Sequence, residues 1–129
     1  MTPIQAAALW LGLNALFLIY ISFNVGQGRV KHKINLGDGG DDDMRKRIRA
    51  QGNYIEYAPA ALLGLFALAS LGLGAMWVHA LGAFFFIARV SHFLGLGAGV
   101  WPMGRFVGTL MTMLALLATA LLLFWKAFA

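Results

Sequence analysis

Residues 44 to 59 read Met-Arg-Lys-Arg-Ile-Arg-Ala-Gln-Gly-Asn-Tyr-Ile-Glu-Tyr-Ala-Pro, so a strongly basic segment runs directly into an apolar one. In a helix, Arg49, Asn53 and Glu56 have the spacing i, i+4 and i+7 and project from one face. A carboxylate near the centre of a bilayer costs about 2.5 to 3.5 kcal/mol, so Glu56 must face protein, an opposite charge or water. We interpret this face as a functional site; the alternative is an interfacial helix end whose polar residues only anchor it.

The composition is that of a membrane protein. Of the 129 residues, 60% are hydrophobic and 12% are charged, whereas apolar residues make up about 45 to 50% of a soluble domain. At about 20 apolar residues per span, the chain has room for four transmembrane helices and for no separate soluble domain. We therefore predict a single all-α domain over residues 1–129, a bundle of four transmembrane helices.

The distribution of charge and the absence of cysteine exclude several classes of function. The net charge is +5, but seven of the ten Lys and Arg residues lie between positions 29 and 49. Such a concentration indicates membrane topology, and we predict no nucleic-acid partner. Without cysteine there are no disulfides, thiolate metal sites or cysteine nucleophiles, so any thiol chemistry must use the thiol of a substrate.

Four apolar runs predict the helices, which we place over residues of about 3–25, 44–71, 75–96 and 106–128. The first is too long for a cleaved signal peptide and has no basic start, so we expect it to be retained. Asn14, in its middle, predicts a hydrogen bond between helices. Pro59 lies inside the second helix, where it removes one backbone hydrogen bond.

Two glycine-rich segments predict the connections at one end of the bundle. Residues 26–43 read as a loop, in which glycines form turns and the run Asp41 to Asp43 caps the next helix. This acidic run lacks the ligand spacing of an EF-hand, and we predict no metal site. Gly95 to Gly104 reads as a second turn, flexible enough to admit a substrate.

Arg89 is a second residue that is costly in a membrane. It lies between Phe84–Phe86 and Phe93 in an apolar helix, and it needs a partner. Glu56 is the only acidic residue outside the polar loop, so we predict an ion pair between Glu56 and Arg89, in which truncating either partner would strand a buried charge. His92, one turn on, is either an acid–base residue or a hydrogen-bonded core histidine.

The positive-inside rule gives an orientation. It places the basic loop over residues 25–49 and the turn over 97–105 in the cytoplasm, with both termini and the 72–74 turn on the other side. Arg105, at the mouth of the fourth helix, then faces the cytoplasm with the rest of the candidate site.

The stretch Arg49-Ala-Gln-Gly-Asn-Tyr-Ile-Glu-Tyr-Ala-Pro59 resembles the Arg-x-x-x-Asn-x-x-Glu-Tyr-x-Pro signature of the MAPEG family, the membrane-associated proteins in eicosanoid and glutathione metabolism. The Gly-Asp-Gly-Gly segment at 37–40 is similar to the small bacterial branch of that family. Residues Ala88–His92 resemble its third-helix motif. Arg105 falls at the spacing where prostaglandin E synthase relatives carry a thiol-activating arginine.

The resemblance implies a homotrimer in a bacterial inner membrane, with glutathione bound between neighbouring subunits near the cytoplasmic side. It assigns the role of stabilising the glutathione thiolate to Arg105; our own alternative, from the residues alone, is His92. Arginine suits this role because it does not give up its own proton. By the same resemblance, six residues would hold glutathione: Arg49, Asn53, Glu56, Tyr57, Arg89 and His92.

From the resemblance we expect a glutathione-dependent transferase or peroxidase that acts on apolar electrophiles or lipid hydroperoxides arriving from the bilayer. The alternative is a non-catalytic binding or scaffold trimer of the same fold. A small transporter is disfavoured because the chain has no internal repeat. Arg105 separates the first two hypotheses, since a scaffold has no need of a guanidinium at the mouth of the fourth helix.

Overall fold

The computed structural model describes residues 1–129 as four helices without a strand: α1 (Pro3–His32), α2 (Asp42–Ser70), α3 (Ala75–Leu96) and α4 (Met103–Phe128). The predicted all-α four-helix fold is therefore confirmed. The connections are short, so consecutive helices run in opposite directions. The α1–α2 loop and the α3–α4 turn lie at one end of the bundle, and both termini and the α2–α3 turn lie at the other.

The second and third helices form the centre of the bundle. Each contacts all three other helices, whereas α1 and α4 do not contact each other. Consequently α1 packs on one side of the central pair and α4 on the other. The central pair carries the sequence motifs singled out above, so their side chains meet inside the molecule.

Three of the helices, α1, α3 and α4, are long and apolar enough to cross a membrane. The first half of α2 is charged, but its 29 residues extend over about 44 Å at 1.5 Å per residue. Because α2 joins the end of α1 to the start of α3 at the opposite end, it runs antiparallel to both along the length of the bundle. Large apolar side chains such as Leu16, Ile87 and Phe124 are exposed on the outer helix faces, as is typical of a bundle in contact with lipid.

The first helix is longer than predicted. We placed its end near residue 25, but it continues to His32. Gly28 does not end it: a Cβ at that position would lie 2.6 Å from Cδ of Arg47 and 3.1 Å from Sδ of Met44. This glycine instead lets α2 pack closely against α1. The helix ends at Lys33, whose φ of 55° and ψ of 43° are left-handed.

The loop between α1 and α2 follows the predicted turn chemistry. Gly37, Gly39 and Gly40 have φ values of 66°, 58° and 76°, a region that glycine adopts without strain. The Asp38 carboxylate accepts a hydrogen bond from the Gly40 amide at 2.9 Å. Asp41 caps α2 by accepting from the amide of residue 44 at 2.8 Å, which confirms the predicted N-terminal cap.

The turn between α3 and α4 is shorter than predicted because glycines at its ends belong to the helices. A Cβ at Gly95 would overlap the backbone of Gly104 and Arg105, and one at Gly108 would overlap the backbone of His92. These glycines hold two helix backbones in contact. The predicted extent of the turn, Gly95 to Gly104, is therefore wrong, and its ends are tightly packed rather than flexible.

Candidate functional site

The predicted site residues gather at the end of the bundle that carries the α1–α2 loop and the α3–α4 turn. The structure brings together all seven of them, from three helices: Arg49, Asn53, Glu56 and Tyr57 on α2, Arg89 and His92 on α3, and Arg105 on α4. They differ sharply in exposure, and this difference separates their roles.

The guanidinium of Arg89 is the buried centre of the site, with 1% of the residue exposed. Its Nη2 donates to Oδ1 of Asn53 at 2.6 Å, and its Nη1 donates to Oγ1 of Thr112 at 3.2 Å. Its Cζ lies 5.7 Å and 5.9 Å from the ring centres of Tyr54 and Tyr57, close enough for cation–π attraction. Its Nε is buried without a hydrogen-bond partner.

The predicted ion pair between Glu56 and Arg89 is wrong for this chain. Glu56 lies on the open side of α2, where its Oε1 is 3.5 Å from Nη1 of Arg49 and the two side chains are 52% and 58% exposed. Arg89 reaches the neutral acceptor on Asn53, one turn earlier in α2, and a second one on Thr112. Glu56 still acts on Arg89 through space, but it does not contact it.

The side chain of Asn53 connects the buried arginine to the surface. Its Oδ1 is occupied by Arg89, and its amino group makes no hydrogen bond within the chain. Because Arg89 can only donate, it fixes the orientation of the amide, with the oxygen inward and the amino group available. The partly buried Asn53 is thus a fixed hydrogen-bond donor beside Arg49 and Glu56.

His92 is buried among the arginines of the site. The residue is 2% exposed and makes no hydrogen bond, so it is not the hydrogen-bonded core histidine of one expectation. The guanidinium groups of Arg89, Arg105 and Arg49 lie within electrostatic range of its ring. Of these three groups only that of Arg49 is paired with a carboxylate, Glu56 at 3.5 Å.

Arg105 is an exposed side chain on a fixed backbone. It follows Gly104, whose carbonyl accepts from Oγ of Ser91 at 3.0 Å, and its own carbonyl accepts from Oγ1 of Thr109 at 2.8 Å. Gly95 packs against its backbone from α3. No carboxylate of the chain pairs with its guanidinium, which is therefore available to an anion.

In a comparison with known proteins, the model of the MAPEG family matches residues 7–125. The chain belongs to the MAPEG family. A relative, "Inner membrane protein YecN" of Escherichia coli (strain K12), is 32% identical over 91 residues, which cover 70% of each chain. The same protein from Escherichia coli O6:H1 (strain CFT073) matches equally. The predicted family is confirmed, and the bacterial relative fits its small bacterial branch.

In this MAPEG protein, two polar contacts connect the site residues of α2 and α3 to the outer helices α1 and α4. The Tyr54 hydroxyl contacts the carbonyl and Oδ1 of Asn14, at 3.0 Å and 2.9 Å, which confirms the hydrogen bond predicted for Asn14. Thr112 was missed as the second partner of Arg89. The sequence did contain a signal for this contact. Thr112 lies four residues after Gly108, so both are on the face of α4 that packs on α3.

A second polar cluster ties the end of α1 to the start of α2. Nε2 and Nδ1 of His32 lie 2.8 Å and 3.4 Å from the carboxylates of Asp43 and Asp41. Nε of Arg47 lies 2.9 Å from Asp43 as well. The hydrogen bonds with His32 and then with Arg47 hold the pKa of the Asp43 carboxyl below its ordinary value. This cluster fixes the loop beside the site.

Proposed function

We propose that this MAPEG protein is a membrane-bound glutathione-dependent transferase or peroxidase that acts on apolar electrophiles or lipid hydroperoxides. The observation that carries the proposal is that three guanidinium groups, those of Arg49, Arg89 and Arg105, lie at one end of the bundle, and only that of Arg49 has a carboxylate partner, Glu56 at 3.5 Å. Glutathione has two carboxylates, one ammonium and a thiol that is anionic when reactive. Its charges complement this arrangement.

The polar face of α2 would hold the glutathione peptide. Arg49 offers a planar guanidinium suited to a carboxylate, and the amino group of Asn53 offers a second donor. Glu56 offers a half-exposed carboxylate to the ammonium. Tyr57, half-buried beside Arg89, would limit how deeply the peptide enters.

Arg89 would act through Asn53 rather than by direct contact, because its guanidinium is buried and hydrogen-bonded inside the chain. It orients the amide and adds a positive field beneath the site. This makes it a positioning residue.

Arg105 would stabilise the thiolate. A glutathione thiol resembles free cysteine, with a pKa of about 8.5, and each unit of lowering corresponds to about 1.4 kcal/mol of stabilisation. Bound glutathione would supply a thiolate that forms a carbon–sulfur bond and expels a leaving group, or two thiols would reduce a hydroperoxide to an alcohol and water while forming one disulfide. Arg105 is exposed and free of carboxylates, whereas His92 is buried, so Arg105 is the stronger candidate.

We further propose a homotrimer in a bacterial inner membrane, with the site facing the cytoplasm and both termini on the other side. The concentration of basic residues between positions 29 and 49 supports this orientation, and the name of the YecN relative supports the membrane. Arg49 and Glu56 are more than half exposed on a helix within the bundle. Because lipid is a poor environment for both, a neighbouring subunit covering them is the natural partner.

One observation favours the non-catalytic scaffold of the same fold. Two of the three nitrogens of the Arg89 guanidinium already have partners within the chain, so this network needs no ligand to be structurally useful. Arg105 is not explained by a scaffold.

Titration calorimetry with glutathione and conjugation of chlorodinitrobenzene, which releases chloride and a proton, test the proposal on the full chain in mild detergent. We expect the wild type to bind and conjugate, and Arg105→Ala to bind but conjugate at least about tenfold more slowly, the effect of one pKa unit. Lys126→Gln, at the other end of the bundle, is the matched control and should equal the wild type. Absence of both binding and conjugation in the wild type would contradict the proposal and favour the scaffold.

A further inference from the structure

The α3–α4 pair opens into a groove at the end opposite the site. The groove has a volume of about 480 Å³, and all eight of its lining residues are apolar: Leu73, Trp77, Ala80, Leu81, Phe84, Ala118, Leu122 and Trp125. Because glycines hold the two backbones in contact near residues 95 and 108, large side chains at the far end leave an open space between the same helices.

The groove fits within one leaflet of a bilayer. Its α3 wall, from the start of the helix at Ala75 to Phe84, extends about 14 Å at 1.5 Å per residue. Its α4 wall, from Ala118 to Trp125, extends about 11 Å, and half of the hydrocarbon core is about 15 Å thick. The groove is apolar over this whole length. Its dimensions and chemistry therefore suit one acyl chain lying along the helices.

The mouth of the groove carries an unpaired cation. Trp77 and Trp125 are 60% and 59% exposed there, where tryptophans sit at the level of lipid headgroups. Nζ of Lys126 lies 5.0 Å from the ring centre of Trp125. All five acidic residues of the chain lie between positions 38 and 56, and the side chains near Lys126 include none of them.

We propose that this groove binds an anionic glycerophospholipid, with one acyl chain between α3 and α4 and the phosphate on Lys126. A second copy of the chain inserted in the same orientation would bring the same end of its bundle, where no Asp or Glu side chain lies to pair with Lys126. A lipid phosphate supplies that anion, and the lysine stem can follow the Trp125 ring to the headgroup level. The site is independent of the glutathione proposal.

Quenching of tryptophan fluorescence by lipids with brominated acyl chains tests the inference. The full chain carrying Trp10→Phe and Trp101→Phe keeps only the two groove tryptophans, and it is reconstituted with increasing mole fractions of brominated phosphatidylglycerol or phosphatidylcholine. We expect half-maximal quenching at about fivefold less phosphatidylglycerol, the effect of one lysine near an anionic lipid. Lys126→Gln should remove this preference, whereas Lys46→Gln, an exposed lysine at the other end, should keep it.

A substitution that fills the groove provides a second test of the proposal. Ala118→Phe should reduce quenching by both lipids, and Ala8→Phe, on an exposed face of α1 at the same end, should not. Equal quenching by the two lipids in the wild type, or a preference that survives Lys126→Gln, would overturn the proposal. Absence of quenching by either lipid would also overturn it and would indicate that another protein surface covers the groove.

Discussion

The two ends of the α3–α4 pair are built in opposite ways. At the site end, glycines bring the backbones into contact, and the buried Arg89 is held by Asn53 and Thr112. At the other end, Trp77 and Trp125 stand apart around an apolar groove. The difference shows how one pair of helices can combine a fixed polar centre with an adaptable surface: small residues fix the distance between backbones, and large ones leave space.

The largest expected effect comes from breaking the closed end. In Gly108→Ala the new methyl group overlaps the backbone of His92, and overpacking against backbone should lower the free energy of unfolding by about 3 kcal/mol. Gly12→Ala is the matched control, because no atom lies within 4 Å of a Cβ there and a helical alanine should stabilise by about 0.5 to 1 kcal/mol. Thermal unfolding in mild detergent measures both. Equal shifts of the two melting temperatures would show that α3 and α4 are not in backbone contact.

Two threonines on the same face of α4 compare the ends directly. Thr112→Val removes an acceptor of the buried Arg89 guanidinium and should cost about 2 kcal/mol of unfolding free energy. Thr119, buried seven residues later in the apolar half, makes no hydrogen bond, so Thr119→Val should change stability by less than about 0.5 kcal/mol. Similar costs in the same unfolding assay would mean that Arg89 does not depend on Thr112.

A smaller effect is expected for Glu56→Gln. Its carboxylate is half-exposed beside Arg49, and such pairs contribute less than about 1 kcal/mol to stability. Glutathione affinity should fall instead, because the ammonium loses its partner, and parallel unfolding and calorimetric titrations separate the two effects. A stability loss as large as that of Thr112→Val would instead support the originally predicted buried ion pair between Glu56 and Arg89.

The smallest effect concerns the loop beside the site. The Gly40 amide and then Arg45 hold the pKa of the Asp38 carboxyl below 3.8. Since this pKa is lower in the folded state, the carboxylate stabilises the loop above pH 3.8, and the contribution is lost as the pH falls through the folded value. Nuclear magnetic resonance should show the Gly40 amide shift titrating with a midpoint below 3.8. A midpoint at or above that value would contradict the hydrogen bond.

The fold was largely predictable because its signals are strong and local. Apolar runs located the four helices, and the Asp41 cap and the turn glycines located the loop. The end of α1 was not predictable, since Gly28 reads as a loop residue until Arg47 and Met44 are seen to pack on it. A glycine that allows close packing and a glycine that forms a turn look alike in one sequence.

The convergence of the candidate residues at one end of the bundle was predictable, but the contacts between them were not. The motif residues on α2 and α3 and Arg105 do converge at one end. However, Arg89 donates hydrogen bonds to the neutral side chains of Asn53 and Thr112, and Glu56 contacts Arg49 instead. A charge-matching argument considers only acids and therefore missed Thr112 and the amide of Asn53. The identity of the acceptor depends on how deeply each helix face is buried, which the sequence does not specify.

The most direct test of the central claim is the ultraviolet difference spectrum of glutathione added to the protein in detergent, which reports the thiolate. We expect a thiolate band for the wild type at neutral pH and its loss in Arg105→Ala, with binding retained. Arg105→Lys should restore it only in part, because an ammonium lacks the planar fork of the guanidinium. An unchanged band in Arg105→Ala would contradict the role of Arg105 and assign the activation of the thiol to another group, with His92 the next candidate.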